Sequence, residues 1–356
     1  MLAHIGAERF DGRGPGPFEM PTRVGQMDVA PAGDRDVHTV CHERMRDGET
    51  DSPGSTCDDR NLTTQLIVHS CQYNSPRMHD VAILGAGELG GALAHVLARR
   101  DIVRRIRLID SAGQIAVGKA LDIMQSSPID AFSTVVSGSI DLVTVGGSTV
   151  VVIADRAAGG EWDGDEGVLL LKQLSGIARH SIILCAGARQ RDLVDRGVRE
   201  LKWSSERLFG SAPEALASAV RALVAIDING SAKDVGLTVL GVPPAHTVVP
   251  WEDMTVAGFA ATRVLDEPAR RRIAAKVAPL WPPGAYALAA AAAAAVAAIA
   301  GYSRRTLSCF VAPADGAGKR KTAALPVRLG LNGVMAVDVP ALDGSAATAL
   351  SNAIDL

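Results

Sequence analysis

The most constraining feature of the chain is a strand that runs straight into a glycine-spaced turn. Val81-Ala82-Ile83-Leu84 is an unbroken apolar run, and Gly85-Ala86-Gly87-Glu88-Leu89-Gly90 follows it with Gly-x-Gly-x-x-Gly spacing. The stretch Ala92 to Arg100 then has helical spacing. In such a turn the first glycine permits a tight bend and the second lets backbone approach a pyrophosphate. The third lets helix and strand pack closely. The helix start presents free N–H groups, so Gly85, Gly87, Glu88, Leu89 and Gly90 form the expected phosphate cradle. A lone turn of this kind is weak evidence. Here a second strand, Arg105 to Ile109, ends in Asp110, 23 positions after Gly87. That is close to the ~20 expected for a carboxylate that grips ribose hydroxyls. An acid there favours NAD over NADP, because it repels a 2′-phosphate. The bland alternative is an ordinary tight βα turn followed by a surface aspartate.

The alternation of strands and helices continues. Ser133 to Ser137, Thr149 to Ala154 and Ser181 to Cys185 read as strands, and Val168 to His180 as a helix. Repeated βα units imply a parallel sheet. After about Gly210 the pattern changes. A helix over Pro213 to Ile226 precedes a strand over Val235 to Leu240 and a Pro-rich turn. An Ala-rich run from Ala285 to Ala300 and short strands near Leu307–Val311, Thr322–Leu329 and Val334–Val339 follow. The expected fold is α/β: a Rossmann-type doubly wound sheet over 78–210, then an α+β substrate-type domain over 211–356. The Ala run is too short and too weakly apolar to span a membrane easily, and reads as a buried helix.

Composition bounds the remaining possibilities. The 356 residues carry 36 Lys+Arg against 39 Asp+Glu, a formal charge of −3, which lacks the basic footprint of a nucleic-acid binder. No secretory signal opens the chain. Residues 1–77 contain no lysine and hold Cys41, Cys57 and Cys71, three of the five cysteines. Runs such as Gly12-Arg13-Gly14-Pro15-Gly16-Pro17 read as disorder, so the folded protein is expected to begin near Met78. A start codon assigned too far upstream would produce such an extension. The competing reading is a metal module built from Cys41, His42, Cys57, His69 and Cys71, but it lacks paired short cysteine spacing. No metal is expected. With only Cys185 and Cys309 in the rest, a reducing cytoplasm fits.

Further motifs carry a resemblance. Gly118-Lys119-Ala120-Leu121-Asp122-Ile123 follows the second strand, Arg207-Leu208-Phe209-Gly210 and Val239-Leu240-Gly241 lie further on, and Val249-Pro250-Trp251 comes next. Near the end stands Leu325-Pro326-Val327-Arg328-Leu329-Gly330-Leu331-Asn332-Gly333-Val334. In order and spacing, from about Val81 to the C-terminus, the chain resembles the lactate/malate dehydrogenase family. The resemblance implies NAD as cofactor, a small 2-oxo or 2-hydroxy acid as substrate and a homo-oligomer. It also implies a His–Asp acid/base pair and arginines that clamp the substrate carboxylate.

Carried over residue by residue, those groups are missing. The histidine motif falls on Val242-Pro243-Pro244-Ala245-His246-Thr247-Val248-Val249-Pro250, with Pro244 in the histidine slot. Leu216 falls near the aspartate position and Ala219 near the arginine position. The loop after the fourth strand, normally bearing two arginines, is the acidic Asp155-Arg156-Ala157-Ala158-Gly159-Gly160-Glu161-Trp162-Asp163-Gly164-Asp165-Glu166. Gly284-Ala285 replaces a small polar group before the late helix. The expectation is therefore an oxidoreductase-like chain with a degenerate site, or a non-catalytic NAD-binding descendant acting as sensor or partner subunit. His246 is the one candidate for a displaced acid/base, with Glu252 or Asp253 beside it, weighed against a structural histidine. The acidic loop is read as solvated rather than metal-binding, Trp162 and Trp251 as packing groups, and Cys185 as a small hydrophobe rather than a redox thiol.

Overall fold

The computed structural model describes residues 78–312 and 321–355, within one compact unit that runs from Tyr73 to Leu356. The expected disorder of 1–77 and the alternative cysteine–histidine module lie outside the described residues. The first half is β1 (Met78–Leu84), α1 (Glu88–Arg100), β2 (Val103–Ile109), α2 (Gly113–Asp130), β3 (Val135–Ser139) and β4 (Val150–Ile153). A two-strand hairpin, β5 (Asp155–Arg156) and β6 (Gly160–Glu161), precedes α3 (Gly164–Ile177), β7 (Ile182–Cys185), α4 (Arg191–Arg199) and β8 (Leu208–Gly210). The second half is α5 (Ala212–Asp227), β9 (Val235–Gly236), β10 (Leu240–Val242), β11 (His246–Val248), β12 (Thr255–Val256) and β13 (Phe259–Ala260). It continues through α6 (Glu267–Val277), α7 (Ala285–Ile299), β14 (Leu307–Val311), β15 (Ala323–Gly330), β16 (Gly333–Val337) and α8 (Gly344–Asp355).

The main sheet has the order β3-β2-β1-β4-β7-β8, all parallel, and then continues as β14-β15-β10-β11 by antiparallel pairing. Near residue 210 one continuous sheet changes from parallel to antiparallel, through Phe310 opposite Gly210, within a single compact unit. A parallel sheet must be covered on both faces, and β1 shows how. Val81 and Ile83 face the side covered by α1 and α7, while Ala82 and Leu84 face the side covered by α3 and α4. All four are fully or almost fully buried, and burial contributes roughly 2 kcal/mol for each large apolar side chain. The Ala-rich run is α7, buried against α1, where its small side chains allow the two helices to approach closely. No single helix among the described residues is long and apolar enough to cross a membrane.

The expected strand over Val235–Leu240 is two strands in two sheets. β9 joins β12 and β13, whereas β10 joins the main sheet. The backbone between them is spent on side chains: the Leu237 carbonyl accepts from Arg221 and the Val239 N–H donates to Ser308 Oγ. These two bonds take one acceptor and one donor of the segment away from a ladder. Helices α4 and α8 were not anticipated. The pattern of α4 is carried by three buried residues, Leu193, Val194 and Gly197, set among charges.

Candidate functional site

The sheet order reverses between β1 and β4, whose carboxyl ends lie side by side with Leu84 opposite Ile153. In open α/β sheets the crevice outside such a switch point is where ligands bind. The glycine turn sits there under compression. Gly85 has φ +111°, and a Cβ on it would lie 2.2 Å from the Asp155 carbonyl oxygen. A Cβ on Gly90 would lie 2.0 Å from the Gly85 carbonyl oxygen. Gly85 N donates to Ile109 O at 2.7 Å and Gly87 N to Asp155 O at 2.9 Å. The turn is therefore clamped between the ends of β2 and β4, and a side chain at Gly85 or Gly90 would meet backbone.

Asp110, just past β2, is buried and accepts backbone N–H bonds from Ala86 at 2.7 Å, Ala112 at 2.8 Å and Ala157 at 2.8 Å. Burial pushes its carboxyl up, but these three donors together outweigh burial and hold it below the usual carboxylate value. One oxygen ties the glycine turn to the loop after β4, and the other caps the approach to α2. The sequence reading places Asp110 at the ribose; in the structure its carboxylate ties three backbone N–H groups together.

Two groups at the turn were not singled out from the sequence. The Asp155 carboxylate accepts from Gly90 N at 2.9 Å and Leu89 N at 3.2 Å, so it caps the first turn of α1 with both oxygens. A Cβ on Gly87 would lie 2.3 Å from the Asp155 Cγ. Lys119 of α2 donates to Gly87 O at 2.6 Å. The signal for Asp155 was present: an acid follows the buried strand Val150–Ala154 immediately. Its target, 65 positions earlier in the chain, became visible only once β4 lay beside β1. Glu88, also of the turn, points out to solvent at the edge of a cleft shared with Gly91, His95, Lys119 and Tyr286.

The acidic loop is latched shut by its own charges. Glu161 accepts from Ala188 N at 3.0 Å and Arg189 N at 2.7 Å, and burial pushes its carboxyl up against those donors. Asp163 pairs with Arg189 at 2.9 Å, Asp165 with Arg196 at 3.0 Å and Glu166 with Arg156 at 2.7 Å. Arg156 lies over the Trp162 ring, 4.8 Å from its centroid. Among the described residues no three Asp, Glu, His or Cys side chains converge to hold a metal. The Cys185 thiol is fully buried, and burial, aided by Glu161, pushes its ionisation far up, which suits a packing group and not a redox thiolate.

In the second half, Leu216 is fully buried in the core and Ala219 is half-buried. The charge in α5 is turned inward: Glu214 pairs with Arg221 at 2.8 Å, and its other oxygen accepts from Ser308 N at 2.9 Å. Pro244 and His246 are exposed at the β10–β11 hairpin. His246 has no side-chain hydrogen bond or ion pair among the described residues. Of the two acids considered beside His246, Glu252 pairs with Arg270 at 3.7 Å, and neither Glu252 nor Asp253 is bonded to His246. Trp251 packs against the second-half core and Trp162 against the first-half core, as expected of packing groups.

The dinucleotide fingerprint fits in its frame: strand, glycine turn, helix start and acid are all where the cofactor would need them. It does not fit in its present occupancy. The Leu89 and Gly90 amides that would face a pyrophosphate hold the Asp155 carboxylate, and two anions cannot share those donors.

Comparisons agree with this frame. The sequence profile described as lactate/malate dehydrogenase, NAD binding domain, matches residues 79–166. Malate dehydrogenase of Thioalkalivibrio sulfidiphilus is 31% identical over 205 residues, covering 55% of this chain and 67% of that protein. Malate dehydrogenase of Pelagibacter ubique is 40% identical over 76 residues, 21% of this chain but only 24% of that protein. Among solved structures, malate dehydrogenase from Salinibacter ruber superposes with a TM-score of 0.68 at 24% identity, covering 77% of this chain and 93% of that one. The Cryptosporidium parvum lactate dehydrogenase complexed with lactic acid and nicotinamide adenine dinucleotide gives 0.70 at 20% identity, covering 78% and 95%. The chain belongs to the lactate/malate dehydrogenase family and carries that family's NAD-binding domain.

Proposed function

We propose that this chain binds NAD(H) at the β1/β4 switch point and serves as a non-catalytic member of its family, a sensor or partner subunit. The observation that carries this is the pairing of an intact glycine turn with a substrate side that has no proton donor and no fixed cation at the expected positions. Pro244 has no side-chain proton, and Leu216 and Ala219 are apolar. The nearby arginines are engaged: Arg156 with Glu166, Arg189 with Asp163 and Arg221 with Glu214. NAD(H) would supply the hydride acceptor or donor. Hydride leaving a 2-hydroxy acid must be matched by loss of the hydroxyl proton, and the anionic substrate needs a cation to hold it.

Calorimetric titration with NADH is expected to show binding, and Asp110→Ala to weaken it, with circular dichroism confirming the fold. No heat with any dinucleotide would sink the cofactor reading. A spectrophotometric assay with oxaloacetate and pyruvate should show turnover far below that of a relative bearing the His and Arg groups. Robust turnover would overturn the non-catalytic reading. Loss of that turnover in His246→Ala would then assign the displaced acid/base.

A further inference from the structure

We propose that Asp155 is an internal competitor of the dinucleotide: its carboxylate stands where the pyrophosphate must bind, so ligand affinity is set by its displacement. This rests on the NAD(H)-binding reading and adds a residue that governs it. The start of α1 offers two N–H donors, Leu89 and Gly90, and Asp155 takes both with its two oxygens. Gly87, whose missing side chain would let a phosphate approach the backbone, instead has the Asp155 Cγ within 2.3 Å of the place a Cβ would occupy. The positive end of the helix dipole, which favours a phosphate, is thereby neutralised by a carboxylate of the same chain.

Displacement is local. The Gly87 N to Asp155 O bond belongs to the backbone, so it persists if the side chain alone rotates away. The flanking hairpin is held independently by Ala157 N on Asp110 and by Glu161 on the Ala188 and Arg189 amides. The carboxylate can leave without unlatching the loop, and Lys119, bonded to Gly87 O, keeps a positive charge at the turn.

The test compares the whole wild-type chain with Asp155→Asn, which keeps the shape and removes the charge, and Asp155→Ala, which opens the space. NADH titration should show roughly tenfold or greater tightening in both variants, the scale expected for a charge at a helix N-terminus. Inorganic pyrophosphate should raise the melting temperature of the variants more than that of the wild type. Adenosine, which lacks phosphate, should bind all three alike. Equal or weaker NADH binding in variants shown by circular dichroism to be folded overturns the competition while leaving the nucleotide site in place. Tightening for adenosine as well would overturn it too, because the gain would not be confined to phosphate. No NADH binding to any of the three proteins overturns the nucleotide site and the competition together.

Discussion

The β1/β4 switch point and the second half of the chain handle charge in opposite ways. At the switch point, carboxylates are bound to backbone N–H groups: Asp110 to three, Asp155 to two and Glu161 to two. In the second half, the charged pair of α5, Glu214 and Arg221, is withdrawn into the core, and the β10–β11 hairpin end presents an exposed proline and an exposed histidine. The first side keeps an anion-binding backbone and fills it with the chain's own anions. The second buries its charged pair and packs apolar side chains around it. The difference teaches that a family's scaffold and its chemistry rest on separable sets of residues, glycines and apolar positions for one, a few charged side chains for the other.

The comparison can be broken most severely at the buried pair. Arg221→Leu leaves Glu214 buried without its cation and is expected to cost about 3–5 kcal/mol in urea denaturation. The double variant Glu214→Leu with Arg221→Leu should recover much of that loss, since the pair's role is structural. No recovery would mean that the Ser308 and Leu237 backbone bonds carry the region. Next in size is Gly87→Ala, where the new methyl meets the Asp155 carboxylate and should cost about 2 kcal/mol. Combining it with Asp155→Gly should relieve most of this, a coupling of about 1 kcal/mol or more between residues in contact.

Asp110→Asn is expected to cost about 2 kcal/mol at pH 7, because an amide cannot accept all of the N–H bonds a carboxylate does. The Asp110 carboxyl is held below its ordinary value of 3.8 in the folded state. Its contribution is therefore complete above that pH and is lost as the pH falls through the lower folded value. The difference between wild type and Asp110→Asn should accordingly narrow in acid melts below pH 3.8. A constant difference would show that shape, not charge, matters there. Smallest is His246→Ala: an exposed side chain without a partner should change stability by no more than about 0.5 kcal/mol. It should leave NADH binding unaltered, and a large effect on either would restore His246 to the site.

Much of this was legible along the chain. Glycine spacing after an apolar strand, the acid ending the next strand and the alternation of βα units all act through nearest neighbours and local periodicity, so the Rossmann half, the buried Ala-rich helix and the Gly85–Asp110 frame could be read directly. The identities of Pro244, Leu216 and Ala219 were equally readable, because a side chain's chemistry is known from its identity. The break between β9 and β10 was not readable, since it depends on Arg221 and Ser308 reaching that backbone from 16 and 69 positions away.

By itself, then, the sequence determined which groups the chain owns and which local elements they form. Only the tertiary structure decided where the chain's own charges end up. Asp155 is an ordinary loop acid until β4 is paired beside β1; it is then held against the start of α1 by two amides and a glycine with no side chain. The physical reason is that strand pairing at the switch point brings distant backbone donors and a loop carboxylate within hydrogen-bond range, and no local pattern encodes that distance.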